Sequence, residues 1–397
     1  MAGEHRGWFS LIAVCGVIFI QDLACALGKG GATDPAVADA LQATVAGAAP
    51  LVIAPALEAA ATELAALDAA LAAWEAAGGA AAEQEAAQQA HQRALAAWQR
   101  VELMEVGPLG SSLNVVGGAD LRDRVYSWPV VNPCRVDQET ATAGYAAADF
   151  MDVALDNVRG LDAIAHLLWA PAGENACPSQ VDINAQGTWA ALGPDEIALR
   201  RAAYARVALA DAAATLDEAR AAFAAGGDWA AALEQAGQGG GPYESREAAL
   251  NALYDAAFYI EAVAKDQKLA EPMGLRDCTT DCLGLVEAAE AGTSHLLLRE
   301  NLAAFRQLWA MGEGSGFDDL LRSLGQDALV AEVEAALTAA EAAALALEQP
   351  VDAALTAGDP ALTALYEAMV ELGRLWKEDV ATALVMTVPA EAAGDND

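Results

Sequence analysis

At 397 residues the chain is long enough for two domains with large buried cores, and alanine dominates its composition. A formal net charge of −36 argues against nucleic acid or an anionic membrane surface as a partner. Nearly all of these carboxylates are expected on a solvated acidic surface.

Residues 1–26 read as a secretory signal. His5 and Arg6 give a weakly positive start, Trp8 to Ile20 is apolar, and Ala24-Cys25-Ala26 supplies small residues before the cut. The apolar run is short for a bilayer span. No later stretch reads as a span, because Glu and Asp interrupt the Ala-rich segments. A lipoprotein acylated at Cys25 or Cys15 is the alternative, poorly matched by Asp22 and Val14. Cleavage leaves Cys134, Cys177, Cys278 and Cys282, an even number that favours disulfides in an exported protein. Three pairings are open. We expect Cys134 with Cys177 and Cys278 with Cys282, although the sequence alone does not choose. Neither spacing is a zinc knuckle.

After a Gly-rich linker at 27–36, a short helix is expected from about Pro35 to Ala46, stopping before Pro50. Leu57, Leu64, Leu67, Leu71 and Trp74 form a bundle-type seam, Gly78-Gly79 ends that helix, and the next runs from about 80 to 106. Residues 107–143 lack a period but carry Arg124, Tyr126, Trp128, Arg135 and Asp137, more aromatic than a disordered linker. A helix from about 141 to 169 follows, then a Pro- and Gly-bearing stretch over 170–195. Further helices are expected from Pro194 for about 30 residues, over 243–268, 281–311, 317–324 and 327–347, and around Leu362 to Trp376. Alternating strand patterns are absent. The fold class is therefore all-α. We read two tandem four-helix-type bundles, 37–193 and 194–397, with a cleft between them and long irregular loops.

Within the helix ending at Trp169, Asp162 and His166 are four apart and share one side. Such a pair can share a metal ion, or the carboxylate can orient the ring. The plainer alternative is a core helix whose polar pair faces solvent or a neighbour. Gly160 suggests a helix start or close backbone approach. With His5 in the leader, only His91, His166 and His295 remain, and His91 reads as solvated surface. There is no His-Glu-x-x-His, no Gly-x-Ser-x-Gly, no P-loop and no dinucleotide fingerprint. Glu102 and Glu105, near a helix end, could join Asp162 and His166 in an oxygen-rich metal site. Arg124, Trp128, Arg135 and Asp137 are a second candidate set, for a small anionic ligand. Glu261 and Lys268 are ranked below them as cleft residues.

Arg159-Gly160-Leu161-Asp162-Ala163-Ile164, followed by Leu167-Leu168-Trp169, resembles the signature helix of the imelysin family. Gly107-Pro108, Tyr126-Ser127-Trp128-Pro129, Asn132-Pro133-Cys134-Arg135-Val136-Asp137, Lys268 to Gly274, Gly316 to Leu321 and the closing Gly394-Asp395-Asn396-Asp397 follow in the family's order. The family's Gly-x-His-x-x-Glu falls on Gly160, Asp162 and Ala165, so Asp replaces its His, Ala replaces its Glu, and His166 lies one position later. The resemblance implies an all-helical exported protein of iron-uptake physiology, periplasmic or in the cell envelope. The resulting expectation is a binding protein for iron or another divalent metal, with a cell-envelope protein as a further partner. A metallopeptidase of imelysin type and a non-catalytic module for a protein or small anion are the alternatives.

Overall fold

The structure, a computed structural model, describes residues 34–171 and 173–389 and contains no strand among them. The 1–26 leader, most of the 27–36 linker and the closing Gly394 to Asp397 lie outside the described residues. Helix α1, Pro35–Ala48, starts where the Asp34 carboxylate accepts the Ala36 N–H at 2.9 Å and Pro35 occupies the first turn. It does not stop before Pro50. A π-helical turn over Ala49–Ile53 carries the chain straight into α2, Ala54–Ala76, with Pro50 in its first turn. The altered register of a π turn accommodates a residue that cannot donate to the ladder. Pro35–Ala76 is long and apolar enough to cross a membrane, contrary to the reading of interrupted segments. Its Leu57, Leu64, Leu67, Leu71 and Trp74 face is buried, so core packing accounts for that apolarity.

Helix α3, Ala81–Glu102, returns alongside α2 after the Gly78-Gly79 turn. The 107–143 stretch is more regular than its sequence suggests, since it holds α4, Leu121–Val125, and α5, Pro133–Thr142. Asn132 caps α5 by accepting the Arg135 N–H at 3.0 Å. The expected long helix from 141 is instead α6, Gly160–Trp169, preceded by short 3-10 turns; Ala143 at φ 52 ends the preceding helix. Gly160 is both helix start and close approach: its φ is +72, and a Cβ there would lie 2.6 Å from the Val125 carbonyl oxygen. Gly160→Ala is therefore expected to destabilise the protein by about 2–4 kcal/mol, measurable by urea unfolding. A change within about 0.5 kcal/mol would show that α4 and α6 separate easily.

Helix α7, Thr188–Phe223, bends at Gly193 before Pro194. Next come α8, Asp228–Glu234, and α9, Arg246–Ala257, which passes into a π-helix over Ile260–Ala270. The helix expected from 281 begins only as α10, Ser294–Ala310, because Ala288 (φ 50) and Gly292 (φ 64) break the chain before it. Helices α11, Phe317–Ser323, α12, Asp327–Ala346, and α13, Pro360–Arg374, follow, with short helical segments at Val351–Ala357, Leu375–Val380 and Ala381–Leu384. Helices α2, α3, α6 and α7 pack together, as do the 260–270 π-helix, α10, α12 and α13. Helix α3 also packs on α10, and α1 packs on α8, α9 and α11, so one apolar core runs through both groups. Trp376 stacks on Tyr254 and meets Phe305, Trp309 and Phe317 edge-on near the middle of that core. Both expected disulfides are formed, Cys134–Cys177 and Cys278–Cys282.

Candidate functional site

Where α3 meets the 260–270 π-helix, the apolar core gives way to a buried network of charges. Glu102, in the last turn of α3, accepts hydrogen bonds from Trp98 Nε1 (2.7 Å), Tyr259 OH (2.8 Å) and Arg122 Nε (3.4 Å). Arg122 also donates to Glu105 at 2.9 Å and lies 5.7 Å from the Tyr259 ring centroid. Beside it, Lys268 Nζ is 2.9 Å from Glu287 Oε2 and donates to Gln99 Oε1 (2.6 Å) and Asn301 Oδ1 (3.0 Å). Glu287 Oε1 accepts from Tyr126 OH (3.0 Å) and Gln99 Nε2 (3.2 Å). Rings of Tyr259 and Trp128 flank the ammonium at 5.3 and 5.8 Å. Buried charges persist only when paired and hydrogen-bonded, and here each has several partners.

Burial raises the Glu287 carboxyl above its ordinary range, with Lys268 opposing. Burial, reinforced by the neighbouring Glu287 and Glu102, holds Tyr126 and Tyr259 as neutral donors. Glu105, partly exposed at its side chain, is also raised by burial against the pull of Arg122.

Asp162 stands apart. Its Oδ2 is buried without a hydrogen-bond partner, although the residue as a whole stays partly exposed. Burial first, then the charges of Glu287 and Glu290, push its carboxyl up to about 7; His166 opposes only in part. His166, one turn further along α6, is turned away onto Asp137, with Nε2 3.1 Å from Oδ1. Its Nδ1 is 3.8 Å from Glu290 Oε1, too far for a hydrogen bond. Burial alone would lower the imidazole, but the Asp137 carboxylate, with Glu290 adding, pushes it up to about 9. Against a reference near 6.5, stability from this pair is complete below pH 6.5 and lost as pH rises through 9. The loss approaches about 3 kcal/mol. His166→Gln should flatten the stability profile across that window in urea unfolding; an unchanged slope would contradict the ion pair.

The expected ligand sets are dispersed. Glu102 and Glu105 are engaged by Arg122, and His166 by Asp137; among the described residues no three His, Cys, Asp or Glu side chains are grouped to hold a metal ion. Within the expected set, the Asp162 Oδ2 and the His166 Nδ1 are buried without a hydrogen-bond partner. Asp137 is fully buried, accepting the Ala176 N–H at 2.7 Å and facing Arg201 at 3.8 Å, so it anchors the 170–177 stretch to α6. Exposed Arg135 pairs with the largely buried Glu139, and Arg124 faces Asp211 at 4.0 Å. Trp128 reaches the network through Lys268. His91, expected on the surface, is fully buried: α3 packs on α6, its Nε2 lies 2.8 Å from the Leu161 carbonyl, and burial lowers it to about 4. Glu261, the companion of Lys268 in the sequence, pairs instead with Lys377 at 2.9 Å.

Sequence reasoning missed Gln99, Arg122, Tyr259, Glu287, Glu290 and Asn301 as members of the site. Lys268 was the available signal, being one of few lysines in a strongly acidic chain.

Comparison with known proteins adds the following. A family model described as Imelysin (Peptidase_M75) matches residues 53–375. The fold is similar to that of an imelysin-like protein from Psychrobacter arcticum 273-4, with TM-score 0.67, 17% identity, and 89% of this chain and 98% of that one covered. It is also similar to a Parabacteroides distasonis ATCC 8503 protein with the provisional description iron-regulated protein A precursor. That pair gives TM-score 0.66 and 15% identity, covering 87% of this chain and 95% of the other. No curated protein matches the sequence.

Proposed function

The chain belongs to the imelysin family, and from that membership we propose an exported binding protein that takes iron or another divalent metal at Asp162 and does not cleave peptides. The observation that carries the reading is the unpartnered buried oxygen of Asp162, set among Glu287, Glu290 and Glu102. A carboxylate held in surplus negative potential is relieved either by a proton or by a cation. Glu290, half exposed beside His166, is the residue best placed to be a second oxygen ligand. Glu102 and Glu105 leave the ligand set because Arg122 and the other donors already hold them, whereas His166, held by Asp137 only at Nε2, keeps an unpartnered Nδ1 on the Glu290 side. An ion held by so few protein ligands would keep water in the rest of its shell, as hard divalent ions do.

The description of the Parabacteroides protein supports an iron-related setting, and its designation as a precursor supports export to the periplasm or cell envelope. Peptide hydrolysis would need a metal-bound water and a free general base. Glu102 and Glu287 are already held by buried donors, and position 165 is alanine. Calorimetric titration of the leader-cleaved chain with Fe(II) and Zn(II) tests the proposal, beside Asp162→Asn and Glu290→Gln. Saturable binding abolished by the first change and weakened by the second is expected. Wild-type protein that takes up neither ion, or an Asp162→Asn variant that binds as well, would overturn it.

A further inference from the structure

We propose that the Cys278–Cys282 disulfide is a redox latch, whose reduction releases the chain that carries Glu287 and Glu290 to the candidate site. The bridge closes the tip of the 268–287 loop, and the Lys268–Glu287 ion pair closes its base at 2.9 Å. Between these two closures little else holds the chain. From Cys278 to Leu285 no side chain hydrogen-bonds to a described residue outside the stretch, and the backbone makes only local turns. Cys282 and Leu283 border a groove with Leu355 and Thr356, but Leu283 and Leu285 stay exposed. Both bridge cysteines are partly exposed, within reach of a thiol in solution.

The backbone around the bridge adopts conformations that need enforcing. Asp277 (φ 48) and Asp281 (φ 56) each stand immediately before a bridge cysteine in the left-handed region, and Ala288 (φ 50) follows Glu287 there. Such residues persist only where their surroundings hold them. Residues 279–281 are exposed, so the covalent link between the adjacent cysteines supplies much of that constraint. The Cys134–Cys177 bridge is placed differently: Cys177 is buried, and Cys134 packs with it against the Ile183, Trp189 and Ile197 cluster. Exposed bridges are the ones that exchange readily. A dithiol thiolate attacks one bridge sulfur and forms a mixed disulfide, which the second thiolate of the same dithiol displaces. The S–S bond is thereby broken, both cysteines gain a proton and one electron each, and the dithiol becomes a disulfide. The consequence for metal rests on the reading of Glu290 as a ligand; the release itself does not.

Hydrogen exchange of the leader-cleaved chain, before and after limited reduction with dithiothreitol, tests the latch, with alkylation and peptide mapping to place the new thiols. Thiols are expected at Cys278 and Cys282 while Cys134–Cys177 stays closed. Amides of 283–293 should then exchange roughly tenfold faster, about the effect of reopening a short closed loop. Those of α2 and α7 should keep their rates. Reoxidation should restore slow exchange, and Cys278→Ser/Cys282→Ser should match the reduced protein and ignore the reductant. Neither readout involves a bound ion, so the metal assignment can fail without altering this result. Unaltered exchange over 283–293 in either the reduced chain or the double variant would overturn the inference. So would a rise that spreads through α2 and α7, which would make the bridge a staple of the whole fold, or a Cys134–Cys177 bridge that opens first.

Discussion

Lys268→Ala is expected to destabilise the protein by about 3–5 kcal/mol, the usual cost of removing one member of a buried ion pair. The ammonium is almost fully buried and neutralises Glu287, while also donating to Gln99 on α3 and Asn301 on α10. Its loss strands a buried carboxylate and the Asn301 amide oxygen where the two helix groups meet, while Gln99 Oε1 keeps the Asn301 Nδ2 donor at 2.9 Å. Urea unfolding of the single variant, of Glu287→Leu and of the double variant forms the relevant cycle. The double variant should be less damaged than the sum of the singles, because it leaves no orphaned charge. Additive losses would mean that Lys268 and Glu287 do not depend on each other.

Asp162→Asn should act in the opposite direction. The Asp162 carboxyl is raised from 3.8 to about 7 in the folded chain, so the fold binds its proton more tightly than the unfolded chain does. The corresponding stability is fully present below pH 3.8 and is lost as pH rises through 7, with a ceiling of about 4 kcal/mol. Partial exposure of the residue reduces that to roughly 2–3 kcal/mol. The asparagine variant should consequently be the more stable protein at pH 8, with the difference vanishing by about pH 4. Unfolding curves at several pH values would show this divergence, and parallel curves would contradict it. A residue that costs stability without binding anything would be easily replaced, whereas a cation bound to the folded state recovers the cost by mass action.

Much of the fold was legible because the helix seams are periodic. The Leu57 to Trp74 face is buried as its spacing predicts, and both disulfides join the expected cysteines. Alanine-rich composition obscured the breaks. Nothing at Ala143 or Ala288 announces a positive φ, so α6 and α10 were each read as longer than they are. The second error mattered most for the site, since the non-helical 286–293 stretch carries Glu287 and Glu290. Tyr126 and Glu287 are 161 residues apart, and a contact at that distance leaves no trace in local pattern. The Asp162–His166 spacing correctly put both residues on α6. It did not show that the buried Asp137 draws the imidazole away and leaves the carboxylate alone.

The most direct test is the affinity of Fe(II) or Zn(II) measured calorimetrically at pH 6 and pH 8. Proton and ion compete for Asp162, so affinity should rise by roughly tenfold between those values and level off above pH 7. The rise and the binding itself should both be absent in Asp162→Asn. Affinity that is independent of pH, or that survives the substitution, would place any bound metal elsewhere and contradict the assignment of Asp162.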